Sequence, residues 1–232
     1  RTMIEKFKSG DRITTDRGWV HIIRSFAADN SVDPRPNGYG ALISIAETII
    51  QPGQGFPMHP HPDMAIVTFM VAGGMRHEDS TGGKGRIGEG EIQRMSAGTG
   101  VVHSEYNSSQ TEISHSLQIW IRPAEIGLEP GYEQMSLNGA GAGLTLIGAP
   151  LRPEGGVAIH ADLRLYSGQL EAGQKAALSL APGRRAWVQV ASGAAALGDA
   201  VIAAGDGAAV EGISTVTITA IEAAVLLIFD MA

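Results

Sequence analysis

The sequence contains no cysteine. That excludes a disulfide framework, a thiolate-bound zinc and a thiol nucleophile. Aromatic residues are few, at 5% of 232 positions. No apolar run approaches the roughly 18 residues of a membrane span. The opening stretch "RTMIEKFKSG" has no apolar core of the kind a secretory signal carries. No helical periodicity persists beyond about a dozen residues, so an all-helical fold is not expected. Lys and Arg number 17 against 24 Asp and Glu, and they form no extended run. The net charge of −7 and the pI near 5.5 do not suit a nucleic-acid surface. The expectation is a soluble cytoplasmic protein that contacts neither membrane nor nucleic acid directly.

What is present is glycine and short β-like runs. "ALISIAETII" (41–50), "AIVTFMVAG" (65–73), "SLQIWI" (116–121), "RAWVQVASG" (185–193) and "TVTITAIEAAVLLIFD" (215–230) are rich in Val, Ile and Thr. Gly, Pro, Asp or Ser bounds each of them. This is the pattern of many short antiparallel strands, and it predicts an all-β sandwich or barrel. "EDSTGGKG" (78–85) reads as a hairpin loop. Residues 122–156 hold most of the Pro/Gly clusters and read as a connection between two halves.

The halves repeat. Residues 51–74 lie over 171–194 without a gap, with Gly53/Gly173, Gln54/Gln174, Pro62/Pro182 and Gly73/Gly193 identical. A repeat of this length means two domains of one fold, not a solenoid. The expected division is 1–125 and 126–232.

The second copy lacks one set of residues. In "GFPMHPHPDM" (55–64), His59 and His61 stand two apart, and in "VVHSEYN" (101–107) so do His103 and Glu105. The offset of 120 sets Ser179 and Ala181 opposite the first pair. A second offset, of 115, sets Ile218 and Ala220 opposite the other. The fold can therefore be built without these polar groups. Residues i and i+2 of a strand share a face, so each pair can aim at one point. Three imidazoles and a carboxylate inside an apolar barrel are costly to bury unpaired. A divalent metal removes that cost by accepting their lone pairs, and the donor set suits iron, manganese, nickel, cobalt, copper or zinc. Ser104 falls on the opposite face, which argues against a Ser–His–acid triad. His77 and His115 read as hydrogen-bonded strand or loop residues, His77 also as a neighbour of the ligands. His21 and His160 read as structural. Phe56, Met58, Met64, Phe69, Met95 and Trp120 are candidates for an apolar pocket wall.

"GFPMHPHPDMAIVTF", "HEDSTGGKGRIGEGEIQRMSAGTGVVHSEYN" and "QIWIRPAEIGLEPGYEQ" resemble the pirin family of the cupin superfamily, from about residue 10 to residue 135. The C-terminal half is similar to that family's second, metal-free cupin. The resemblance implies two tandem cupin (jelly-roll) β-barrels. It places a single divalent metal, usually iron(II), in the N-terminal one, with His59, His61, His103 and Glu105 at the ligand positions. It further implies quercetin 2,3-dioxygenase-type activity. A flavonol would bind the metal through its 3-oxyanion, Glu105 would take the proton as catalytic base, and dioxygen would cleave the ring with release of carbon monoxide. The alternative is a metal-dependent, redox-sensing protein that regulates a protein partner without turnover. A purely stabilising metal is the third reading. One departure concerns residue 65, where pirin-like sequences commonly carry Glu and this chain carries Ala65.

Overall fold

The computed structural model describes residues 3–26, 37–138 and 140–232; the first two residues of the opening stretch lie outside them. The fold is all-β, and the only helical pieces among the described residues are 3-10 turns at Ser9–Asp11 and Arg152–Glu154. The chain forms two compact units. One holds residues 13–138 and 157–161, the other 1–12, 139–156 and 162–232.

In the first unit a seven-stranded sheet runs in the spatial order Gly131–Ser136, Glu91–Ser96, Ala65–Ala72, Ser114–Ile121, Leu42–Ile50, Val20–Arg24, Ile13–Asp16. A four-stranded sheet faces it in the order Gly55–His61, Val101–Asn107, Gly74–Asp79, Lys84–Gly88. All pairings are antiparallel. Apolar residues of both sheets meet between them: Ile66, Met95, Ala97 and Val101 form one such cluster, with Met64 and Trp120 against it.

The second unit repeats this plan. Met3–Phe7, Gly207–Glu211, Arg185–Ser192, Ala224–Met231, Leu163–Leu170 and Gly143–Ala149 lie side by side. The small sheet is Lys175–Ser179, Thr215–Ala220, Ala194–Leu197, Ala200–Ala203. A single large cluster fills it, including Leu178, Leu197, Val216, Ile218, Leu226 and Ile228. Each unit is a jelly-roll barrel of the cupin type, as the strand pattern and the resemblance predict. The shared glycine of the repeat has a physical cause. Gly73 and Gly193 both adopt positive φ (72° and 75°), and a Cβ at either would collide with the carbonyl oxygen of Ile113 or Ala223.

Three sequence expectations are corrected. A cut at 125/126 does not separate the compact units, because Met3–Phe7 pairs with Gly207–Glu211 and belongs with the C-terminal half. Gly131–Ser136 occupies the corresponding edge of the first unit. A short edge strand carries no local signal of which sheet it will join. The stretch 122–156 is not a bare connection, since it holds that strand and Gly143–Ala149. The run 215–230 is two strands, broken at Ile221–Ala223 with no Gly or Pro to mark the turn.

The N-terminal segment is fastened by Asp206. Its carboxylate accepts from Lys6 Nζ at 2.8 Å and from the amides of Ser9 at 2.7 Å and Ala203 at 2.9 Å. Burial alone would raise its pKa, but these donors outweigh burial and hold it below the ordinary 3.8. The stabilisation is therefore complete above the unfolded-state pKa and is lost as the pH falls through the lower folded value. Asp206→Asn should lower stability at pH 7 by about 1–3 kcal/mol. The deficit relative to the parent should shrink below pH 4 in urea titrations. An equal deficit at pH 3 and pH 7 would contradict this account.

Candidate metal centre

The strands Gly55–His61 and Val101–Asn107 bring the sequence pairs together. His103 lies directly opposite His59 and Val101 opposite His61. A register shift between His103 and Glu105 follows, so Glu105 faces Phe56 on that side and His77 on the other. Along 101–107 burial alternates cleanly, with Val101, His103, Glu105 and Asn107 inside and Ser104 outward, as expected.

His59, His61 and His103 offer donor atoms within 4.8 Å of one another. Their ring centroids lie 4.4–5.1 Å apart. A second group within the same limit joins His103 to Glu105 and His77. His103 is thus common to both. Its Nε2 is buried and meets no hydrogen-bond partner, while its Nδ1 lies 3.5 Å from His77 Nδ1. His59 donates from Nδ1 to the Pro57 carbonyl at 2.8 Å, which leaves its Nε2 lone pair available. Burial, then the neighbouring His59, pushes His61 down to about 4. Burial, then His59, His61 and His77, pushes His103 down to about 3 against the opposing pull of Asp79. Both rings are neutral at pH 7, the form that can ligate a cation.

Glu105 is 2% exposed. Burial raises its pKa to about 7, against hydrogen bonds from Gln118 and Gln93 that favour the anion. Gln93 donates to Oε1 at 3.1 Å and Gln118 to Oε2 at 2.7 Å. Aromatic donors orient both amides: Tyr132 Oη–H donates to Gln93 Oε1 and Trp120 Nε1–H to Gln118 Oε1. Tyr132 stacks on His77, centroids 4.7 Å apart.

Gln93, Gln118, Tyr132 and Asp79 escaped the sequence reading. A signal existed for three of them: Asp79 stands two residues from His77, the spacing that shares a strand face. "EIQRMS" and "SLQIWI" each set a glutamine in a buried strand, at odds with its surroundings. His77 and His115 are hydrogen-bonded strand residues: His77 bonds Asp79 at 2.8 Å and His115 bonds Glu47 at 2.8 Å. Of the pocket candidates, Met58 is 54% exposed on the outer face. Phe69 stands on the opposite sheet face from Thr68, which pairs with Gln118. Trp120 lies 5.6 Å from His61 and Phe56 6.2 Å from His59, and Met64 and Met95 pack in Trp120's cluster. Ala65 also shares Phe69's face, so a glutamate there would point away from Glu105.

The second barrel is apolar at the positions that correspond to the polar cluster, and its register corrects the sequence alignment. Ile218 pairs with Leu197 as Glu105 pairs with His77, and Leu178 lies opposite Val216 as His59 lies opposite His103. The counterparts of His59, His61, His103 and Glu105 are therefore Leu178, Leu180, Val216 and Ile218, all buried. The sequence offset was one or two residues out because strand length and turns differ slightly between copies. The corrected positions make the contrast sharper, since every one is apolar.

Two jelly-roll barrels, one with a convergent imidazole–carboxylate cluster and one packed with aliphatic side chains, define a bicupin with a single polar barrel. The model of the Pirin family matches residues 6–121, and that of the quercetinase C-terminal cupin domain matches residues 146–231. A quercetin 2,3-dioxygenase of Escherichia coli K12 is 38% identical over 229 residues, 99% of each chain. A pirin-like protein of Caulobacter vibrioides is 33% identical over 94% of each. The crystal structure of the E. coli bacterial pirin YhhW in complex with nickel(II) superposes with a TM-score of 0.92 at 37% identity, covering 99% of both chains. The chain belongs to the pirin family. Among the described residues no helix is long and apolar enough to cross a membrane.

Proposed function

We propose that the first barrel holds one divalent transition metal on His59, His61, His103 and Glu105, and that the protein is a dioxygenase acting on a flavonol-like substrate. The observation that carries this reading is the orphaned Nε2 of His103, buried among two further imidazoles beside a wholly buried carboxylate. Such a donor set is unfavourable without a cation and well matched to one. The relatives named as quercetin 2,3-dioxygenases and the nickel complex of a 37% identical neighbour support the same assignment. Iron(II) is the metal we assign to the native protein.

When bound, the metal supplies Lewis-acid charge for a substrate oxyanion and redox chemistry toward dioxygen. The chain supplies the rest. Glu105 takes the proton of the flavonol hydroxyl as a positioned carboxylate base. Gln93 and Gln118 hold both carboxylate oxygens in place during that transfer. Trp120, half-buried 5.6 Å from His61, and Met64 in the same cluster are the apolar side chains against which a flat aromatic ring would pack.

The test is elemental analysis of protein purified without added metal, followed by an aerobic assay of that sample for loss of flavonol absorbance. Near-stoichiometric iron and turnover that disappears in His61→Ala are expected. Absence of turnover with iron, manganese, nickel, cobalt and copper alike would refute the catalytic reading.

A further inference from the structure

We infer that Asp79 and His77 form a positioning relay that sets the proton of His103 on Nδ1 and so keeps its Nε2 lone pair free for the metal. The inference rests on the metal reading above but not on the dioxygenase reaction.

The chain of reasoning starts at the hairpin 79–84. Asp79 Oδ1 accepts from Thr81 N at 2.8 Å, Thr81 Oγ1 at 2.6 Å and Gly83 N at 3.0 Å. A Cβ at Gly83 would press on the Asp79 carboxylate, so glycine leaves that group in place. Oδ2 is left facing His77 Nε2 at 2.8 Å. An ionised carboxylate only accepts, so His77 must donate from Nε2. In the neutral ring its Nδ1 is then an acceptor. The atom facing it, at 3.5 Å, is Nδ1 of His103, which must carry the hydrogen. The second nitrogen of His103 is therefore a bare lone pair, and it is this Nε2 that is buried without a partner. A carboxylate two residues along the strand from His77 thus decides which nitrogen of a third residue is free. His77 itself is clamped: it is 1% exposed and stacked on Tyr132. Outer hydrogen-bond partners of metal-ligating histidines commonly set the tautomer in this way. Here the outer partner is another histidine, with the carboxylate one step further out.

Asp79→Asn inverts the relay at nearly constant shape. The new amide oxygen takes over the three loop donors, and its NH2 group faces His77 Nε2. His77 must then carry its proton on Nδ1 and donate to His103 Nδ1, which drives the His103 proton onto Nε2. Long-range 1H–15N correlation spectra of the metal-free protein read these tautomers directly. The parent should show His77 protonated on Nε2 and His103 on Nδ1, and the variant should show both reversed. Nickel(II) titration should give a Kd about 10–100-fold weaker in the variant, with an unchanged circular dichroism spectrum. His77→Phe keeps the stacked ring and removes the Nδ1 acceptor, and it should weaken nickel binding similarly if Asp79→Asn does not fold. A parent His103 with its proton on Nε2, or unchanged tautomers and Kd in a folded Asp79→Asn, would overturn the relay. A parent that binds no nickel but shows the expected tautomers would instead count against the metal reading alone.

Discussion

Replacing His103 with alanine should weaken divalent-metal binding by at least about 100-fold and reduce flavonol turnover to background. Of the candidate ligands it alone belongs to both donor clusters. It also stands at their centre, with rings of His59, His61 and His77 at 4.4, 5.1 and 5.3 Å. Loss of the ring removes the buried Nε2 that makes the site unfavourable without a cation, so the barrel itself should still fold. The metal-dependent part of stability should vanish. A site-specific ligand at 100 times its Kd adds about 2.7 kcal/mol, and a chelator removes it. Melting curves with and without chelator should therefore diverge for the parent and coincide for His103→Ala. Metal content measured after loading checks the same point: a variant that retains one equivalent would place the ion elsewhere.

The second large effect runs in the opposite direction. Giving the first barrel the interior of the second should make the metal-free protein more stable and inert. The substitutions follow the shared register: His59→Leu, His61→Leu, His103→Val, Glu105→Ile, and with them Gln93→Ala and Gln118→Ile after Ala208 and Ile228. Well-packed apolar replacement of a buried ion pair or triad is often neutral or stabilising by about 1–4 kcal/mol, and this imidazole–carboxyl cluster should respond in the same direction. In a domain of this size each kcal/mol moves Tm by roughly 2–4 °C. The gain requires that the whole set go together. Glu105→Ile alone strands the amide donors of buried Gln93 and half-buried Gln118, and a buried unsatisfied donor costs about 1–3 kcal/mol. Calorimetry of the single and the sixfold variant should thus show shifts of opposite sign. A sixfold variant that melts well below the metal-free parent would mean that the polar cluster contributes to the fold.

The contrast between the two barrels explains why so much of the candidate site is legible in the chain. Polar residues at strand spacing inside an apolar period are conspicuous, and their disappearance from an internal repeat is more so. His59, His61, His103 and Glu105 stand out on both grounds. Gln93 and Gln118 stand out only weakly, because one amide in a strand is easily accommodated. Asp79 shares strand spacing with His77, so that pair is legible in the chain, but nothing local shows that His77 will meet His103. Tyr132 gives no such signal, since it lies on an edge strand in a stretch that reads as a connection.

Local chemistry alone settles the strand-rich architecture, its duplication and the pairing of candidate ligating groups two apart. Alternation along a strand is a property of the backbone and needs no partner. Non-local pairing settles the rest. Register between strands makes Leu178, Leu180, Val216 and Ile218 the counterparts of the polar set, and edge pairing assigns Met3–Phe7 to the C-terminal unit. The same pairing sets His77 beside His103. A one-residue slip turns every side chain of a strand to the other face, and the cross-strand hydrogen bonds that prevent it form between segments far apart in the chain.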